Sequence, residues 1–128
     1  MPIKKIKTSK IVFVSKNDSM MKVEEIFDSF PIHHVMVIEN EVLCGIISKS
    51  DVLKAYRKFA AKGEIPDRSS ITATDIMTSE LITLDGEDSI GLAADIFLAN
   101  KIHSIPVYNG DQLSGIITNH DIIKYCFR

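Results

Sequence analysis

The chain has 128 residues, 45% of them hydrophobic and 25% charged, with a formal net charge of −2. That length supports one compact unit or two very small ones sharing a core, and the near-neutral charge removes the electrostatic case for a nucleic-acid partner. No apolar run approaches the roughly 18 residues of a membrane helix. Behind the solvated edge of Lys4, Lys5, Lys7 and Lys10, the stretch Ile11-Val12-Phe13-Val14 is too short for a secretory core. A soluble cytoplasmic protein is expected, with Cys44 and Cys126 reduced and structural.

In chain order, the first expected element is a short strand over 11–14 ending in a polar turn. Asp18 and Ser19 offer oxygen acceptors to the orphan amides that open a helix. Met20, Val23, Phe27 and Phe30 then recur three or four apart, which makes one buried stripe. Two strands follow, over 35–38 and 42–47, joined by the weak turn Glu39-Asn40-Glu41. A helix from Asp51 carries Val52, Leu53, Tyr56 and Phe59, and Gly63 is its expected stop. Residues 63–71, with Pro66 and paired serines, read as a connecting loop. Thr72 to Asp75 has the form of a capping box for a short turn into Ile76 and Met77.

The same succession then runs again. A strand over 81–84 leads to Asp88 and Ser89 and to a helix striped by Ile90, Ala93, Ala94 and Phe97. Strands over 105–108 and 113–117 flank Asn109-Gly110, the strongest short hairpin signal, because both turn residues must tolerate φ > 0. A closing helix carries Ile122, Ile123 and Tyr125. Shifted by 70, residues 11–56 align with 81–126 without a gap, and 13 of the 46 positions are identical. Ile6, Thr8 and Ser9 match Ile76, Thr78 and Ser79 ahead of the aligned span. Chance identities would scatter and need gaps, so the chain is a duplication. About fifty residues with three strands and two helices hold too little core to stand alone. Two copies packed face to face, related by a pseudo-two-fold, would leave a cleft of the kind small ligands use.

The stretches DIMTSELITLDGEDSI and NKIHSIPVYNGDQLSGIITNHD, with their first-copy counterparts, resemble a tandem pair of cystathionine-β-synthase (CBS) domains, a Bateman module. The resemblance covers about residues 6–128 and is closer in the second copy. In the first, Lys5-Ile6-Lys7-Thr8 replaces the usual lead-in and Met36 stands where proline is usual. It implies an α/β (α+β) fold of two β-α-β-β-α repeats, at 1–62 and 72–128, with 63–71 as linker. In this family the stretch glycine, two apolar residues, Ser/Thr, two residues, aspartate is the nucleotide-binding signature; here it is GIISKSD at 45–51 and GIITNHD at 115–121. The aspartate at the helix start would accept two charge-assisted hydrogen bonds from ribose hydroxyls, and the amides beside it would favour an anion. Gly45 and Gly115 would let the backbone approach a flat base.

The resemblance also implies two sites, each combining one copy's signature with the other copy's strands. The first would take Ile46, Ser48, Ser50 and Asp51, facing Leu81, Ile82, Lys101, Ser104 and Pro106. The second would take Ile116, Thr118, His120 and Asp121, facing Ile11, Val12, His34 and Met36. Aliphatic residues would flank adenine, and Lys101 or His120 would meet phosphate. The first site has the family's lysine and proline, so it is the expected place for a phosphorylated ligand.

Plainer roles exist for the same residues. Asp51 and Asp121 would also serve as helix N-caps with no ligand at all. His33 and His34 project to opposite faces of a strand, and no carboxylate or cysteine completes a metal site, so no metal is expected. His120-Asp121 has no nucleophile beside it, so catalysis is not expected. What the resemblance implies is a stand-alone regulatory module for an adenosyl-containing ligand, namely AMP, ADP, ATP or S-adenosylmethionine. It would be a homodimer and would signal to a separate effector protein. A ligand-free dimerisation or scaffolding module is the alternative.

Overall fold

A computed structural model describes residues 1–100 and 102–127. Lys101 lies outside the described residues. The chain divides into two compact units, one formed by Val12–Glu80 and one by Met1–Ile11 together with Leu81–Arg128. They are called below the first-copy and second-copy units, after the signature each contains. The two copies in the sequence therefore divide the chain differently from the compact units, since the residues leading into one copy fold with the other.

The first-copy unit holds β1 (Phe13–Val14), α1 (Met20–Ser29), β2 (His34–Glu39), β3 (Val42–Ser48), α2 (Lys49–Ala61) and α3 (Ala73–Ile76). The second-copy unit holds a 3-10 turn at Ile3–Lys5, β4 (Leu84–Asp85), α4 (Ile90–Asn100), β5 (Ser104–Asn109), β6 (Gln112–Thr118) and α5 (Asn119–Cys126). Each sheet has three strands, in the orders β1-β2-β3 and β4-β5-β6, with a parallel first pair and an antiparallel hairpin. The expected opening strands at 11–14 and 81–84 shrink to two residues each, because only Phe13 and Val14, or Leu84 and Asp85, find ladder partners.

Alternation places Val35, Val37 and Ile47 on the face of the first sheet that meets α1 and α2, where they form a core with Val14, Met20, Val23 and Val52. In the second-copy unit Ile3, Leu84, Ala93, Ile105, Val107 and Ile117 do the same. The expected stripe of α1 holds for Met20 and Val23, both fully buried, and ends before Phe30, which is 43% exposed. Phe30 is the C-cap residue, already in extended backbone, so it has left the helical stripe. Leu53 and Ile123 are also exposed, on the outer sides of α2 and α5.

The expected capping chemistry is largely present, with different residues in the leading roles. Ser19 caps α1, accepting from the Lys22 amide, and Ser89 accepts from the Leu92 amide. Asp18 and Asp88 instead brace the preceding turns through the amides of Ser15 and Asp85. The first amides of α1 donate to loop carbonyls, Met20 to Ile71 at 2.8 Å and Met21 to Arg68 at 3.1 Å. These are groups that no intrahelical bond satisfies. Ile90 donates likewise to Met1 at 3.0 Å. The loop over 63–71 is thus part of the first-copy unit's framework. Arg68 Nε donates to Glu24 at 2.8 Å, and the Tyr56 hydroxyl donates to the same carboxylate at 2.9 Å.

The hairpin turns differ from expectation by one residue. Asn109 pairs with Gln112, so the loop is Gly110-Asp111, and of these two only Gly110 has positive φ, +62°. In the first copy Asn40 and Glu41 form the loop, at φ of 50° and 66°. Glu41 therefore holds a left-handed conformation that costs a side chain roughly 1 kcal/mol and glycine little. Glu41→Gly is expected to raise unfolding stability by about 0.5–1 kcal/mol, read from the urea midpoint.

Burial raises the Tyr56 pKa, and the hydrogen bond to Glu24 raises it further. A phenol whose proton is held more tightly in the folded chain contributes stability below its unfolded pKa and loses it as pH rises through the folded one. Above about pH 10, Tyr56→Phe is expected to lose stability less steeply than the parent chain, measured by urea unfolding at stepped pH.

Candidate functional site

In the first-copy unit the signature runs from the end of β3 into α2. Ser48 is the N-cap of α2 and Asp51 its third residue, joined as a capping box. The Asp51 amide donates to Ser48 Oγ at 3.1 Å, and Asp51 Oδ2 accepts from the Ser48 amide at 2.8 Å and the Ser48 hydroxyl at 3.0 Å. In the second-copy unit Thr118 caps α5. Asp121 Oδ2 accepts from the Thr118 amide at 3.0 Å, and the Asp121 amide donates to Thr118 Oγ1 at 3.1 Å. The aspartates are therefore not N-caps, as a plain capping role would have them; Ser48 and Thr118 are. A carboxylate has about four acceptor positions, and the capping box occupies one oxygen of each.

The other oxygen faces a threonine that the signature does not contain. Thr78 Oγ1 donates to Asp51 Oδ1 at 3.2 Å, and Thr8 Oγ1 to Asp121 Oδ1 at 3.3 Å. Each threonine is fixed by a two-bond antiparallel bridge to the signature strand. Thr78 exchanges bonds of 2.9 and 3.0 Å with Ile46, and Thr8 exchanges bonds of 2.8 and 3.0 Å with Ile116. Thr8 and Thr78 are 70 residues apart and match in the repeat. The sequence thus carried a signal for both, but not which aspartate each would meet.

This geometry corrects the expected role of the signature glycines. A Cβ on Gly45 would lie 2.6 Å from Met77 Sδ and 2.9 Å from the Thr78 carbonyl oxygen. On Gly115 it would collide with the Thr8 carbonyl oxygen and come within 3.1 Å of Lys7 Cδ. The glycines admit the lead-in segments: the nearest neighbour of Gly115 is the Thr8 carbonyl, and those of Gly45 are the Met77 side chain and the Thr78 carbonyl.

The remaining expected site residues fall as follows. Met36 pairs directly with Ile46, and Pro106 with Ile116; all four are buried, on the opposite face of their sheets from the cores described above. His34 pairs with Ser48 and Ser104 with Thr118 where each hairpin meets its helix. Ser50 and His120 are exposed in the first turns of α2 and α5. Ile11, Val12, Leu81 and Ile82 precede the first strand of each sheet, and Ile82 is 39% exposed. Among the described residues no cluster of three or more His, Cys, Asp or Glu side chains is arranged to hold a metal ion, and no helix is long and apolar enough to cross a membrane.

Comparison with known proteins agrees with this framework. The CBS-domain family model matches twice, over residues 3–58 and 73–128. The chain belongs to the CBS-domain family, as a tandem pair. It is 32% identical to the Methanocaldococcus jannaschii protein MJ1404 over 96% of its own length and 31% of that protein's. It is 22% identical to an A-adding tRNA nucleotidyltransferase of Geobacter sulfurreducens, of which it spans only 13%. The chain thus spans well under half the length of these relatives. Among solved structures, the CBS domain protein NE2398 superposes with a TM-score of 0.89 at 16% identity, covering 100% of this chain and 98% of that one. The CBS domain pair of MJ0100, in complex with 5′-methylthioadenosine and S-adenosyl-L-methionine, superposes with a TM-score of 0.81 at 25% identity over the full length of both chains.

If the glycines serve the lead-ins, Gly45→Ala and Gly115→Ala are expected to destabilise by about 1–3 kcal/mol. Gly115→Ala should cost more, because its nearest obstacle is a backbone carbonyl while that at Gly45 includes a movable thioether. Chemical denaturation of the two variants side by side checks both sign and order.

Proposed function

We propose that this CBS pair is a regulatory module that binds an adenosyl-containing ligand through the carboxylates of Asp51 and Asp121. The observation that carries the reading is the framing of each carboxylate. One oxygen is held by the capping box, and the other meets, among the described residues, a threonine hydroxyl, which is able to rotate away. Two neighbouring ribose hydroxyls would donate to that oxygen as charge-assisted bonds, each contributing roughly 1.5–3 kcal/mol. The complex of the MJ0100 pair with two adenosyl compounds supports the ligand class. AMP, ADP, ATP and S-adenosylmethionine are the candidates.

The remaining expected ligand contacts belong to the same proposal: Ile46, Ile116, Met36 and Pro106 as apolar surfaces for a base, and Ser48, Ser50, Thr118 and His120 at the helix starts. The proposed output is regulatory and not catalytic, through a partner protein in the cytoplasm, and it requires the ligand to favour one of two conformations. Dimerisation is part of the proposal. Leu53 and Ile123, equivalent by the 70-residue repeat, are 56% and 54% exposed. The same pair of residues favours a second reading, a ligand-free dimerisation module.

Isothermal titration with adenosine, AMP, ATP and S-adenosylmethionine separates the two. At least one is expected to bind saturably, with its dissociation constant raised about tenfold or more in Asp51→Asn or Asp121→Asn. Asparagine keeps an acceptor for the capping amide, so helix loss does not confound the result. No saturable binding at millimolar concentration would leave the dimerisation reading in possession.

A further inference from the structure

The first-copy unit contains a pocket of about 370 Å³ that starts at Asp51 and runs along α2 toward α3. Its walls carry both signs of charge. Lys54 and Lys58, one helical turn apart, stand on the α2 side; Asp75 stands on the α3 side; Phe59, Ile76 and Met77 supply an apolar floor. Neither lysine forms an ion pair among the described residues. Two like charges one turn apart repel each other. Asp75 spends one oxygen on the Thr72 amide at 2.9 Å, and its other oxygen meets no donor among the described residues.

From Asp51 the two lysines lie about 4.5 Å and about 10.5 Å along the helix axis. A group carried on the 5′ carbon of a ribose held at Asp51 and directed into this pocket would meet both lysines. A phosphate chain would use the lysines, but it would face Asp75 and lie on an apolar floor that gives it nothing. An α-amino-acid tail on a thioether or sulfonium stem suits every wall. Its carboxylate would meet Lys54 and Lys58, its ammonium Asp75, and its sulfur Phe59 and Met77, since sulfur packs favourably on aromatic rings. We infer that the first-copy site selects adenosyl ligands whose 5′ substituent is a zwitterionic amino-acid tail with an apolar stem, held by Lys54, Lys58 and Asp75. This rests on the adenosyl reading above. The preference belongs to the first copy alone, because the second has Tyr125 where the pocket has Ala55, and Lys7 where it has Met77.

The test uses four probes on the whole chain, each titrated calorimetrically and repeated in Asp121→Asn so that the preferences are read at the first-copy site: S-adenosylhomocysteine, 5′-methylthioadenosine, AMP and ATP. The first two share an adenosyl thioether and differ in the amino-acid tail. S-adenosylhomocysteine is expected to bind at least tenfold tighter than 5′-methylthioadenosine. That ratio should fall toward one in the Lys54→Ala/Lys58→Ala double variant and fall several-fold in Asp75→Asn, while ATP binds no tighter than AMP. Equal affinity for the two thioethers, affinity rising with phosphate number, or a tail preference that survives both variants would each overturn the inference and leave the adenosyl reading standing. If none of the four binds, the adenosyl reading fails and this inference fails with it.

Discussion

Each unit depends on one close approach, in which a glycine in the signature strand lets a lead-in segment lie flat against it. Where Gly45 and Gly115 have no side chain, the backbones of Thr78 and Thr8 come near enough to exchange two hydrogen bonds with Ile46 and Ile116. Those bridges bring the Thr hydroxyls to the aspartates, and Met77 or the stem of Lys7 over the glycine. The same segments carry Ala73 and Ile3 fully buried into the two cores. Their amides donate to Asp18 and Asp88 carbonyls, both at 2.8 Å. A side chain larger than hydrogen at either glycine would push on a backbone carbonyl. Bridge, core and site would all feel that displacement.

The exchange of lead-ins follows from the same contacts. The segment at 1–11 opens the first copy in sequence and folds with the second, while 72–80 opens the second copy and folds with the first. A three-stranded sheet with two helices has too little apolar surface to be stable alone. The borrowed segment adds a buried residue and covers the sheet edge at Ile46 or Ile116, and in the second-copy unit it also accepts the helix-opening amide of Ile90 at Met1. Each lead-in continues covalently into the other unit.

The two copies share a frame and differ in what stands around it. Ser48 and Thr118 make equivalent capping boxes with Asp51 and Asp121, and both aspartates meet an equivalent threonine. Over the glycine, however, one copy presents a thioether and the other a lysine stem, and in the first an amphipathic pocket runs from its aspartate. Duplication preserved the backbone geometry that the glycine imposes. The side chains free of that constraint diverged.

Much of this was legible in residues 1–128 alone. The 70-residue shift, the three- and four-residue stripes, the capping residues and the signature identify the elements, because each rests on contacts between residues close in sequence. The framing aspartates were legible for the same reason, being three residues from their capping partners. What lay beyond reach was every contact closed over a long stretch of chain. Thr8 lies 113 residues from Asp121 and Thr78 lies 27 from Asp51. The repeat showed that the two threonines correspond without showing that each completes the other's copy. Sequence alone reads the glycines as room for a ligand, whereas distant segments occupy that space, through the Thr8 carbonyl at Gly115 and through the Met77 side chain and Thr78 carbonyl at Gly45. Local patterns decide helices, strands and caps through their own hydrogen bonds and periodicity. Which segment lies over which glycine is decided only when the whole chain packs, since that choice depends on the shape of two surfaces far apart in sequence.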